Sequence, residues 1–221
     1  MKKRLIAFDL DGTLINSEEA IVHVVRKVAK EFNLTLPAER SQMLAGVGLP
    51  LSAALQKVFP ELEEKIQQEV VESYIKNHHA HADKDQDVEP LYPGARELIE
   101  TLFAEGFILG IVTSKGRHGV DRFLQQKKWE KHFTNIQTPD NGPGKPDPFL
   151  MKAALKEVGV GPESALMIGD TIFDIQCAKG AGVKSIGVSW GFHHLAQLQE
   201  AKPDFLVHKI EEILPVIRQW Q

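Results

Sequence analysis

The sequence predicts an α/β protein: a doubly wound, mostly parallel, Rossmann-like sheet interrupted by an all-helical insertion. Three observations carry this. From residue 90 onward, short apolar runs alternate with amphipathic helical stretches, the rhythm of βαβ units. Those apolar runs show no apolar/polar alternation, as expected of strands buried on both faces. Between residues 14 and 90 there is no convincing strand pattern, and helical spacing takes over.

Each element follows in order. Residues 4–8 (Arg-Leu-Ile-Ala-Phe) are a short apolar run ending in Asp-Leu-Asp-Gly-Thr, a buried strand feeding a polar turn. Residues 17–33 form a helix, with Ser17 as N-cap and Ala20, Ile21, Val24, Val25 and Val28 at three- and four-residue intervals. Helical patterns continue through 38–45, 50–58 and 61–79, punctuated by Pro37, by Gly46-Val47-Gly48-Leu49-Pro50 and by Pro60. Past Tyr92-Pro93-Gly94 the sequence predicts helix 95–105, strand 107–113, helix 117–127 and strand 133–137. Helix 147–158, strand 165–169, helix 173–181, strand 184–189 and a short strand 205–207 complete the pattern.

The chain has 221 residues, long for a minimal domain and short for two full ones, which suits one domain carrying an insertion. The expected division is an α/β core of residues 1–14 and 90–221 and a helical cap of residues 15–89. Charge agrees with it. Residues 15–89 hold 8 Lys/Arg against 13 Asp/Glu, whereas the remainder holds 18 against 17.

Composition narrows the function classes. A net charge of −4 offers no electrostatic reason to bind nucleic acid. A single cysteine, Cys177, excludes an internal disulfide framework and any multi-cysteine metal site, and reads as a core residue. No apolar run approaches the roughly 20 residues of a membrane span. The first apolar stretch ends at Asp9, short of a signal peptide's roughly 7–15 residues. A cytoplasmic protein with no membrane partner is the expectation.

The chemistry is expected at the carboxyl ends of the strands, where open parallel sheets bind ligands. The first strand delivers Asp9, Asp11, Gly12 and Thr13, and strand 107–113 delivers Thr113, Ser114 and Lys115. The loop before helix 147–158 carries Gly144-Lys145-Pro146-Asp147-Pro148, and strand 165–169 leads to Asp170 and Asp174. Two carboxylates about 4 Å apart repel by roughly 4 kcal/mol at an effective dielectric near 20, so such a rim calls for a divalent cation. Hard oxygen ligands without His or Cys select Mg²⁺, with Asp9 and Asp170 as carboxylate ligands. A metal-bridged phosphate beside a free carboxylate suits phosphoryl transfer through an aspartyl-phosphate. A second carboxylate two residues on is then placed to protonate the leaving group.

These residues resemble the haloacid dehalogenase-like hydrolases. Phe8-Asp9-Leu10-Asp11-Gly12-Thr13-Leu14 is similar to that family's first motif. Thr113, Lys145 in Gly-Lys-Pro-Asp-Pro, and Gly169-Asp170-Thr171-Ile172-Phe173-Asp174 are similar to its second, third and fourth motifs, in the right order. The resemblance implies Asp9 as nucleophile and Asp11 as general acid, then base, with the Asp11 carbonyl on Mg²⁺. It implies Thr113 and the Ser114 amide as phosphate holders, and Lys145 as neutraliser of the phosphoryl group and Asp9. It implies Asp170 as a direct metal ligand, with Asp174 acting through water or on Lys145. Dehalogenases proper lack an acid two residues after the nucleophile, so Asp11 favours phosphate chemistry.

The pattern, including Trp190-Gly191-Phe192, is most similar to phosphoglycolate phosphatases. The expected partner is therefore a small phosphorylated metabolite, with phosphoglycolate the favoured substrate. The alternatives are a sugar phosphomutase of the β-phosphoglucomutase type, whose fourth motif usually carries Glu-Asp where this chain has Gly169-Asp170, and a pyrophosphatase. A signalling receiver domain uses similar residues but not an Asp-x-Asp on strand one with a helical insertion.

Other polar residues have plainer readings. Lys115 and Arg117 read as a solvated helix start. His78, His79 and His81 read as histidines at a helix C-terminus rather than a metal cluster. His193 and His194 read as a loop feature. Arg122, Lys127, Lys128 and Lys131 read as a solvated face. Gly46 to Pro50 reads as a helix–helix turn, with a specificity loop facing the core as its rival.

Overall fold

A computed structural model of the chain describes residues 3–84 and 89–220. Six strands, β1 (Leu5–Phe8), β2 (Ile108–Val112), β3 (Phe133–Gln137), β4 (Ala165–Gly169), β5 (Lys184–Val188) and β6 (Phe205–Val207), form one sheet in the order β3-β2-β1-β4-β5-β6. Every pairing is parallel. The order reverses at β1, which lies between β2 and β4. That is the switch point where crossovers diverge to the two faces and leave a crevice at the strand ends.

The strands alternate their side chains between two apolar layers. Ile6, Phe8, Leu109, Ile111, Leu166 and Ile168 pack on one side with α5 (Ala95–Ala104), α6 (Arg117–Lys127) and α10 (Ile213–Gln219). Leu5, Ala7, Val112, Ala165 and Met167 pack on the other with α7 (Phe149–Val158) and α8 (Ile172–Gly180). Both faces are covered, so β1, β2 and β4 are apolar throughout. The edge strand β3 (Phe-Thr-Asn-Ile-Gln) instead alternates, and β5 opens with the exposed Lys184, which corrects the expectation for those two. Cys177 lies in the second layer, and burial pushes its thiol up to about 11, which keeps it unreactive.

Helices α1 (Glu18–Glu31), α2 (Arg40–Leu44), α3 (Leu51–Val58) and α4 (Glu64–Lys84) form the helical insertion and share a separate apolar cluster. It is built on Ile21, Val24, Val25, Val28, Leu55, Val58 and Phe59, with Phe192 of the sheet domain packed against it. Two isolated bridges, Asp11–Ile15 and Ile15–Leu91, tie together the points where the chain leaves and re-enters the sheet.

Several expectations are corrected. Ser17 occupies the N-cap position of α1, but its hydroxyl makes no capping bond and has no partner. Helix α4 runs on to Lys84, so His78, His79 and His81 lie within it rather than at its end. Two helices appear where none is expected, α9 (Leu195–Ala201) and α10. Each is only 7 residues long, too short to set a clear period, and α10 carries Pro215 in its first turn, where a missing N–H is harmless.

Candidate active site

The site grows out of the turn after β1. The Asp9 amide continues the β1–β4 ladder by donating to the Ile168 carbonyl, which fixes the residue at the strand end. Its carboxylate is held at both oxygens: the Leu10 N–H donates to Oδ1 at 2.7 Å, and Lys145 Nζ lies 2.8 Å from Oδ2. Thr113, at the end of β2, adds a side-chain hydrogen bond. Asp9 is 2% exposed.

Lys145 is wholly buried and donates to Asp174 Oδ1 at 2.6 Å as well as meeting Asp9. Burial alone would lower a lysine's pKa, but Asp174 and Asp9 overcome it and hold Lys145 above its ordinary value. Asp174 in turn caps α8: its Oδ2 accepts from the Thr171 amide at 2.9 Å and from the Thr171 hydroxyl at 2.7 Å. The acid therefore orients Lys145 and closes the helix N-terminus at once.

Asp170 completes the group. It accepts from the Thr13 hydroxyl at 2.8 Å and from the Phe192 amide at 2.8 Å. A Cβ on Gly191 would stand 2.2 Å from its Oδ2, and one on Gly12, at φ +83°, would stand 2.3 Å away. Two glycines thus leave the room that this carboxylate occupies. Trp190 steadies the same turn by donating from Nε1 to the Thr13 carbonyl at 3.2 Å.

Asp9, Asp170 and Asp174 each offer an oxygen within 4.8 Å of the others, all buried. Among the described residues Lys145 is the cation that touches this group, so negative charge remains in excess. Burial, opposed by Lys145 and reinforced by Asp174, pushes Asp9 up to about 6. Burial, then Asp174 and Asp9, push Asp170 well above the carboxylate range. A buried all-oxygen donor set that strains to stay ionised fits a hard divalent cation.

Asp11 points elsewhere. Its carboxylate receives Lys115 Nζ at 3.1 and 3.4 Å, and the same ammonium lies 2.7 Å from Glu89 Oε1. The expectation that Lys115 is solvated is therefore corrected: its side chain is 7% exposed, and the two carboxylates hold it above its ordinary pKa despite burial. Glu89, where the insertion returns to the sheet, also meets His78 Nε2 of α4 at 3.2 Å and lies 3.9 Å from Arg122 of α6. Burial would raise the Glu89 carboxyl, yet Lys115 and His78 hold it well below the usual range. Neither Glu89 nor Arg122 was marked by the sequence as more than a surface charge. Arg117 pairs with Asp121 on an exposed helix face, and Lys128 and Lys131 are exposed.

The Gly46–Pro50 turn faces the sheet domain. Ser114 Oγ donates to the Gly48 carbonyl at 2.7 Å, and a Cβ on Gly48 would meet Thr171 and Phe173. His193 Nδ1 accepts from the Ile172 amide at 3.0 Å at the start of α8, and burial lowers its pKa.

Comparison with known proteins agrees with this geometry. The family model for haloacid dehalogenase-like hydrolases matches residues 6–188. Pyrophosphatase PpaX of Bacillus cereus is 34% identical over 221 residues, covering 98% of this chain and 97% of that one. Its counterpart in Anoxybacillus flavithermus is 34% identical with 98% of each covered. Among solved structures, a haloacid dehalogenase-like hydrolase from Streptococcus pneumoniae superposes with TM-score 0.86 at 26% identity, covering 97% and 98% of the two chains. A predicted phosphoglycolate phosphatase from Haemophilus somnus superposes with TM-score 0.87 at 25% identity, covering 98% and 99%. The all-parallel sheet, the four motif positions gathered at its switch point and these similarities place the chain in the haloacid dehalogenase-like hydrolase family.

Proposed function

We propose that the protein is a Mg²⁺-dependent phosphatase that hydrolyses a small phosphorylated metabolite through an aspartyl-phosphate on Asp9. The observation that carries this reading is Asp9 itself: a buried carboxylate at a strand end, clamped by Lys145 and hydrogen-bonded by Thr113. Its oxygens are held in one orientation, which suits in-line attack on phosphorus.

The chain's own residues divide the work. Lys145 keeps Asp9 ionised and offers positive charge to the equatorial oxygens of the transferring group. Thr113, with the Ser114 amide, orients those oxygens. Asp11 gives a proton to the leaving oxygen and then takes one from the attacking water. Asp174 fixes Lys145. Asp9, Asp170 and the Asp11 carbonyl would hold Mg²⁺, with Asp174 close by, and the bound ion would neutralise charge developing on the phosphoryl oxygens. Residues 15–89 act as a cap over residues 1–14 and 90–221, and its closure would exclude water from the reacting centre.

Phosphoglycolate is the substrate favoured by the sequence pattern. Pyrophosphate is the second reading, supported by the names of relatives at 34% identity. Release of phosphate from p-nitrophenyl phosphate, measured with and without Mg²⁺, tests the activity. Wild type is expected to need the metal, and Asp9→Asn to lose turnover while keeping its circular dichroism spectrum. Near-normal turnover in that variant would overturn the reading.

A further inference from the structure

A cavity of about 280 Å³ opens onto Asp9, Thr113 and Ser114 from the side of the insertion. It is near the lower end of the roughly 300–1,000 Å³ typical of ligand pockets, room for a phosphoryl group and a small leaving group. Its outer wall is apolar, formed by Ile21, Val25, Val47, Leu49, Leu51 and Leu55. Leu49 is only half-buried and belongs to none of the three hydrophobic clusters formed by the described residues. The open side of this leucine is the cavity.

Among the described residues, the lysine and the arginine on the wall are already engaged. Lys115 is shared between Asp11 and Glu89, and Arg117 pairs with Asp121 on an exposed face. Of the histidines, His78 meets Glu89, while His79 packs against His118 with ring centroids 4.4 Å apart. A carboxylate or a second phosphate pressed against this wall would lose its water without gaining a dedicated counter-ion, which is costly. An uncharged alkyl or aryl group has no hydrogen bonds to water to forfeit, and its transfer out of water is favourable.

Resting on the phosphatase reading above, we propose that the leaving group is neutral and apolar, so that the preferred substrates are phosphate monoesters of small alkyl or aryl alcohols. This narrows the reading above: the phosphatase stands, but the wall favours an apolar alcohol over the glycolate and phosphate leaving groups to which the sequence pattern and the relatives' names point.

A series of n-alkyl phosphates from methyl to hexyl tests this, because their leaving-group pKa values barely change and chain length isolates contact with the wall. With Mg²⁺ present, kcat/KM is expected to rise by about three- to fourfold per methylene until the cavity is full. The longer esters should exceed phosphoglycolate and pyrophosphate by at least about tenfold, as two or more buried methylenes imply. Leu49→Asn should reduce the slope. A flat or falling series, or a preference for phosphoglycolate or pyrophosphate, would overturn the inference while leaving a phosphatase in place. Absence of phosphate release even from p-nitrophenyl phosphate would instead remove the phosphatase reading, and the inference with it.

Discussion

Lys115 grips both carboxylate oxygens of Asp11, at 3.1 and 3.4 Å, from the loop that follows β2. Through Glu89 and His78 the same ammonium is linked to the return point of the insertion and to its long helix α4. The orientation of Asp11 is thereby tied to the position of the helical insertion.

If Lys115 positions a general acid, its loss should depend on how much the leaving group needs a proton. Lys115→Met is expected to lower kcat by about one to two decades for alkyl phosphates, less than the roughly 10²–10⁴ that general acid–base catalysis contributes, because the acid itself remains. For p-nitrophenyl phosphate, whose leaving group departs as the anion, the change should be severalfold at most. Equal losses on both substrates would assign Lys115 a structural role.

Lys145 is buried with two carboxylates on it, so removing it leaves uncompensated charge. Lys145→Met is expected to lower unfolding free energy in urea by about 3–5 kcal/mol without metal, as breaking a buried ion pair does. An unchanged midpoint would show that the acids relax without it.

Gly191 tests the seat of Asp170 without backbone strain, since its φ is not positive. A Cβ there would stand 2.2 Å from Asp170 Oδ2, so Gly191→Ala must displace the carboxylate. The expected result is a fold retained by circular dichroism, with the Mg²⁺ concentration for half-maximal activation raised about tenfold or more, in the range seen when a ligand's supporting partner is lost. In parallel, Mg²⁺ should raise the Tm of wild type by mass action, and that rise should shrink in Asp170→Asn. No stabilisation of wild type by millimolar Mg²⁺ would count against the metal site.

His193 sets a pH dependence of stability. Its Nδ1 accepts from the Ile172 amide, so the folded state wants the neutral ring, and burial lowers its pKa. Folding stability from this group is therefore present above its unfolded value near 6.5 and is lost as pH falls through the lower folded value. Urea unfolding at pH 7.5 and 5.5 should show wild type losing more stability on acidification than His193→Asn, whose amide oxygen can accept the same bond. Parallel losses would contradict the assignment.

The legible parts of this molecule were those where local pattern and chemistry coincide. Strands β1, β2 and β4 are short apolar runs, and their carboxyl ends display Asp9, Thr113 and Asp170 in sequence. Lys145 was legible through its Gly-Lys-Pro-Asp-Pro setting, although nothing local shows that it is wholly buried between Asp9 and Asp174. Lys115 and Glu89 were not legible, because each looks like a surface charge until 26 residues of separation close to 2.7 Å. Helix α9 and the proline-bearing α10 escaped because two turns fix too little periodicity. Packing decides them: α10 sets Ile213 and Ile217 in the apolar layer on one face of the sheet, and α9 lies against α8.

The central claim is that Asp9 carries the phosphoryl group. Wild type mixed with a phosphate ester and Mg²⁺, quenched in acid during turnover and digested with pepsin, can be mapped by mass spectrometry. Phosphate on the peptide containing Asp9, absent from Asp9→Asn, is the predicted result. Phosphate on another side chain, or full turnover by Asp9→Asn with no phosphorylated peptide, would contradict it.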